Sequence, residues 1–427
     1  MIERRVNDWR TILLAALSIG GGALLFATAV LVILMAVIGQ VNPRFGDAPP
    51  LLEALLLASA LMLIGALFWV AGYFSVQRLR GKETPSPTPN ILKVWQGLLL
   101  FVLWLASCGL AQVFFRNDIL KWFTPPFYLL AIVIPVYLIA RLAAGGIEIG
   151  SRLRTWGVLF TSMAFGTMVS AFAEIFLVVI GLVGLGVYFG FHPEQASSFK
   201  QIMNQLTDAS GVDKLLNLVG PWLTNPLAIL VGLVFFSGFT PLIEETAKSA
   251  AVWSVFDHLE SSAQGFAIGA LSGAGFGLFE SLLASVTPDS NWAGTLLIRG
   301  GSTMMHIMTV SLTGWGIASF RINKNYLRLF GGYALAMALH ATWNGCVIFI
   351  VSGGMRFALN TGKPDLLGAV MIAFSLSLLI ILCLAIPVLI GSLNWRFRTS
   401  ATPTAPSEHL PHLLPPEEDG GGREGVK

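Results

Sequence analysis

Charge is scarce in this sequence. Only 11% of its 427 residues are charged, against 55% apolar. So little charge cannot cover the surface of a soluble chain of this length, and an ordinary water-soluble globule is excluded. Cysteine is also scarce. Cys108, Cys346 and Cys383 all fall in apolar stretches without CxxC spacing. That excludes a disulfide framework and a zinc knuckle, and leaves them as small buried hydrophobes. There is no Walker loop, no dinucleotide fingerprint and no nucleic-acid-binding motif, so no nucleic-acid partner is expected. The 45 glycines suit close packing of helices in lipid rather than phosphate binding.

What the sequence has instead is long apolar runs. About 20 such residues cross a bilayer core. Ten candidate spans follow: 11–39, 51–74, 91–115, 122–143, 157–189, 224–256, 264–287, 293–320, 329–352 and 366–393. The expected fold is an all-α polytopic transmembrane bundle of about ten spans. The first run is too long for a signal-peptide core and reads as a retained span. The runs 157–189 and 224–256 exceed one crossing and must tilt, extend into the interface or break.

Basic residues orient the bundle. Arg4, Arg5, Arg10, Arg78, Arg80, Lys82, Arg141, Arg152, Arg154, Arg321, Lys324, Arg328, Arg396 and Arg398 fall on one side of a ten-span arrangement. The other side holds Arg44, Arg116, Lys121, Lys200, Lys214, Arg356 and Lys363. The excess marks the cytosolic side and places both chain ends there. Organisation along the chain is expected as a four-span region over 1–155, a fifth span with an external loop over 156–223, and a four-span catalytic core over 224–352. A tenth span over 353–398 and a disordered cytosolic tail over 399–427, rich in Pro, Gly and charge, complete it. The loop 190–223 has apolar residues near helical spacing; an amphipathic helix on the membrane, a lid and a disordered loop are the alternatives.

Ionisable groups inside a membrane face a bundle interior or an aqueous cavity and point to function. The last five spans concentrate them: Glu244, Glu245 and Lys248, then Glu280, then Arg299 and His306, then His340 with Asn344. Glu244, Glu280, His306 and His340 each lie within about five positions of a span's midpoint, hence within roughly 8 Å of one level. Glu244 and Lys248 are four apart and share a helix face, as do His340 and Asn344. Two adjacent carboxyls beside a lysine suit a general base that takes a proton from water, with Glu244 favoured because Lys248 shares its face. His340 and Asn344 suit donors to an oxyanion. The set reads as hydrolysis of an acyl bond by activated water.

Taken singly, each residue has a plainer reading. A Glu–Lys pair can be a structural ion pair, a lone histidine or Asn344 can hold helices together, and Arg299 can snorkel or neutralise an acid. His192, His258, His409 and His412 fall in loops or the tail. Glu174, in the fifth span, is an intramembrane acid without an evident task. Convergence at one depth carries the functional reading.

The motifs EETAK (244–248), FGLFE (276–280), a helical His306 and HATWN (340–344), in that order on successive spans, resemble the PrsW family of bacterial intramembrane proteases, of the CAAX prenyl endopeptidase superfamily. The resemblance covers the sixth to ninth spans. It implies a hydrolase of the bacterial plasma membrane, with Glu244 and Glu245 in the first catalytic motif, Glu280 in the second, His306 in the third and His340 with Asn344 as the oxyanion pair. It also implies a membrane-anchored protein substrate, an anti-sigma factor being the family's associated example. Prenyl endopeptidases carry a histidine where Glu280 stands, which fits the PrsW branch. No cofactor is preferred: a glutamate-activated water without metal is the first expectation. Zinc on Glu280, His306 and His340 is the alternative, although HExxH is absent. The rival functions are a proton- or ion-coupled transporter, for which SGFTP (237–241) would break the sixth helix beside the site, and a non-enzymatic membrane scaffold.

Overall fold

A computed structural model describes residues 9–42, 49–82, 85–86, 90–207, 212–360 and 365–400. The tail over 401–427 with His409 and His412, and the loop charges Arg4, Arg5, Arg44 and Lys363, lie outside them. The described residues form twelve helices and no strand. They are α1 (Trp9–Val41), α2 (Leu51–Leu79), α3 (Val94–Phe115), α4 (Thr124–Ala144), α5 (Arg152–Phe191), α6 (Pro193–Thr207), α7 (Val212–Leu223), α8 (Pro226–Trp253), α9 (Ser262–Ala284), α10 (Trp292–Asn323), α11 (Tyr326–Leu359) and α12 (Leu366–Ser400).

A long helix stands on each of the ten apolar runs. Among the described residues nine are long and apolar enough to cross a membrane. The remaining one, α10, has 32 residues but is more polar. The reason is its place: every residue from Gly300 to Gly314 is buried, so protein rather than lipid surrounds it. Its hydroxyls find partners inside the protein: Thr309 and Thr313 donate to the carbonyls of His306 and Val310 within the helix, and Thr303 and Ser319 pair with Ser281 and Ser262 of α9. The helices α1, α3, α5 and α12 instead show lipid their leucines, valines and phenylalanines.

Glycine sets how closely α9 and α10 meet. Gly265, Gly269 and Gly273 lie against the backbone of α10 at Gly314, Val310 and His306, where an added Cβ would overlap a carbonyl oxygen. Gly277 continues the stripe, its Cβ position 3.0 Å from Thr303 Cγ2. Such small-residue contacts let two membrane helices touch backbone to backbone. Gly275, off this stripe, faces α5, 2.8 Å from the Leu159 carbonyl. At the far end of the pair Tyr128 of α4 donates to Leu282 O, and Trp292 Nε1 donates to Ser285 O at 3.0 Å.

The two overlong runs are single helices with a widened turn each: a π-helical segment at Ser162–Gly166 in α5 and another at Leu233–Phe239 in α8. SGFTP therefore widens its helix and does not break it. Pro241 has no N–H for the carbonyl four residues back, and a wider turn relieves the mismatch. The loop 190–223 holds two helices, α6 and α7, and Gly220 of α7 packs on Leu359 and Met355 of α11. Four arginines gather at one end: Arg10, Arg78 and Arg154 border one groove, and Arg321 donates to the carbonyls of Leu259 and Asp257. The cysteines are free, Cys108 and Cys346 buried and Cys383 half-buried.

Candidate active site

All eight site residues of the sequence reading meet in one place. Glu244, Glu245 and Lys248 stand on α8, Glu280 on α9, Arg299 and His306 on α10, His340 and Asn344 on α11. Glu245 and Lys248 have no exposed surface, and His306 and His340 have 2% each. Ser272 fixes the backbone of this turn by donating from Oγ to Lys248 O at 2.7 Å.

The hydrogen bonds form one connected network. Lys248 Nζ lies 2.7 Å from Glu244 Oε2, 3.0 Å from Glu245 Oε1 and 2.8 Å from His306 Nδ1. His306 Nε2 lies 2.8 Å from Glu280 Oε2, whose other oxygen accepts from Arg299 at 2.9 Å. His340 Nδ1 lies 2.8 Å from Glu245 Oε1, and its Nε2 stands 3.7 Å from Glu244 Oε2. The two imidazoles meet edge to face with centroids 5.2 Å apart. The Phe276 ring supports the cluster, 4.2 Å from Lys248 Nζ.

These contacts assign the protons. An ammonium has three N–H groups and no lone pair, and Lys248 faces three acceptors. His306 Nδ1 accepts, so its N–H is at Nε2, donated to Glu280. His340 donates from Nδ1 to Glu245, so in the neutral ring Nε2 carries the lone pair. Each imidazole is thus oriented by a carboxylate, as is usual where histidine serves as ligand or base. Glu245 Oε2 is left buried without a partner.

A cavity of about 670 Å³ opens on this network. Glu244, Glu280, Arg299, His306, His340 and Asn344 line it; Glu245 and Lys248 sit behind them. Its remaining walls come from α8, α10, α11 and the end of α7, on the side toward Leu223, Ile298 and Ser352, away from the arginine-rich end. Asn344 spends one N–H on the carbonyl of Phe236, at 2.7 Å, in the widened turn of α8.

Several placements were not legible beforehand. Lys248 holds both glutamates, not Glu244 alone. Asn344 is tied to the π segment, and Ser272 and Phe276 support the lysine; a serine set in the glycine-rich run GALSGAGFG was the available signal. Glu174 lies on α5, accepts from Ser170 Oγ at 3.1 Å and does not line the cavity. Glu244, His306 and His340 each offer a donor atom, all within 4.8 Å of one another, a spread that could hold a metal ion. Here Glu244 stands where the sequence reading put Glu280, which is engaged by Arg299.

A family model described as PrsW family intramembrane metalloprotease matches residues 154–380, more than half of the chain and all eight of these residues. The chain belongs to the PrsW family. It is a membrane-integral hydrolase, a protease by family. Neither a curated protein nor a solved structure matches it. The PrsW description raises a metal, and the donors fit one by kind: one carboxylate and two imidazoles, the set of many catalytic zinc sites. The fit has one competitor, because Lys248 already supplies a cation to Glu244 and His306.

Proposed function

We propose that this PrsW protein cleaves a peptide bond of a membrane-anchored protein, with Glu244 as general base toward water. One observation carries the reading: Glu244 and His340 stand side by side on the wall of a cavity within the bundle, Glu244 held from behind by the buried Lys248 and His340 by the buried Glu245.

Water entering the cavity would hydrogen-bond to Glu244. Attack of its oxygen on the carbonyl carbon transfers a proton to that carboxylate. The carbonyl oxygen becomes an oxyanion beside the second N–H of Asn344. His340, with a proton taken up from solvent at Nε2 while its Nδ1–H stays on Glu245, would be its other donor. The carbon–nitrogen bond then breaks, and the proton on Glu244 passes to the departing amine. Glu245 and Glu280 orient the imidazoles, and Arg299 holds Glu280. A metal on Glu244, His306 and His340 would add a more acidic water and a polarised carbonyl. Zinc is the candidate, and an anti-sigma factor the substrate candidate, both resting on family resemblance. The placement in a bacterial plasma membrane with cytosolic ends rests on that resemblance and on the basic loops.

The test is cleavage of a single-span substrate in proteoliposomes by His340→Ala and Asn344→Ala. Each should insert normally and lose roughly 10²–10³ in kcat. Unchanged kcat in both would remove the oxyanion pair from the account.

A further inference from the structure

Lys248 has no task in the cavity. It is fully buried, cradled by Phe276, and its ammonium meets three acceptors from two helices at 2.7–3.0 Å. Two carboxylate oxygens and one imidazole lone pair converge on that nitrogen. This is a cation cage built to hydrogen-bonding distance, and two of its members, Glu244 and His306, are among the three residues that could hold a metal.

The overlap is at the level of atoms. His306 has its lone pair at Nδ1, because the Nε2 proton is committed to Glu280. A metal reaching His306 therefore needs the atom that Lys248 now takes, and Glu244 Oε2 is engaged by the same ammonium. Two cations cannot share these donors, since charge repulsion adds to the lost hydrogen bonds. We propose that Lys248 is a resident counter-cation that competes with a divalent metal for Glu244 and His306. Metal-free, the lysine pins the two helices and keeps the carboxylates compensated. Metal-loaded, the ammonium gives up Glu244 and His306 and keeps only Glu245. The affinity of the site for metal is then set by the work of displacing the lysine. This inference rests on the geometry of the site and not on its hydrolytic role, so it is read without substrate.

The experiment is a zinc titration of the full-length chain in detergent, stripped of metal, against a chromophoric chelator. Lys248→Gln removes the competing charge and keeps a polar side chain. It should bind one equivalent of zinc about tenfold tighter than the wild type or better, a difference readily resolved by competition. Adding Glu244→Gln should abolish the gain. Equal affinities, or no zinc on either chain, overturn the proposal. Thermal melting is a second readout: without metal Lys248→Gln should melt below the wild type, because its buried carboxylates lose their partner. Zinc should then raise its melting temperature more than that of the wild type; equal shifts count against competition. For a variant too unstable to strip, yield replaces melting. Zinc in the growth medium should restore it, and zinc without effect on yield overturns the proposal.

Discussion

The two neighbouring glutamates divide the work by depth. Glu244 reaches the cavity wall, while Glu245 is sealed behind it and meets His340 and Lys248. Glu245→Gln should therefore act through His340: a neutral amide holds the imidazolium less well, and kcat should fall with KM nearly unchanged. A rise in KM alone would contradict that role. Glu174→Gln should be mild, within about twofold in kcat, because an uncharged partner to Ser170 outside the cavity changes no group in contact with substrate. A large loss would extend the site onto α5. The site residues themselves were legible because ionisable groups are conspicuous in apolar runs. Their wiring was not. Residues 245 and 248 are three apart and share a face as much as 244 and 248 do, so helical phase cannot say which carboxylate the lysine takes. Nor does sequence reveal that Asn344 faces a carbonyl freed by a widened turn.

At the scale of elements, the α9–α10 contact sets the distance between Glu280 and His306. Gly273 lies against the His306 carbonyl and precedes Glu280 by seven residues, two turns along the same face. Gly273→Leu should push the helices apart, lower the melting temperature through about 1–3 kcal/mol of overpacking, and reduce cleavage. An unchanged melting curve would mean that the contact gives way freely. The turn into α12 offers a pH-dependent case. Asp365 accepts from Gly368 N at 3.1 Å and pairs with Arg356 Nε at 2.7 Å, and both hold its carboxyl below the usual aspartate range. A depressed carboxyl contributes stability above its unfolded value, about 4, and loses it as pH falls toward the folded value. Asp365→Asn should therefore destabilise at pH 7 and matter less as pH falls below about 4; a pH-independent effect would contradict the ionic contribution. Long helices were readable from hydropathy alone. The widened turns were not, because they answer to one proline and to partners on other helices. The polarity of α10 is legible only once its neighbours are known.

For the whole molecule, the order of spans could be read but not which helix lies at the centre. The glycine stripe of α9 was the one hint that this helix is enclosed. The cavity faces away from the arginine-rich end, so with that end cytosolic the substrate bond would be met in the opposite half of the membrane. Reporter fusions at the C-terminus and in the 190–223 segment should report opposite sides; the same side for both would overturn the orientation. The central claim is that Glu244 removes the proton from water at the buried Glu–His cluster. It is tested most directly by cleavage of one single-span substrate in proteoliposomes by the wild type and Glu244→Gln. The variant should insert normally and, per folded molecule, cleave more slowly by roughly 10²–10⁴. A rate within about twofold of the wild type, far less than loss of a general base entails, would contradict it.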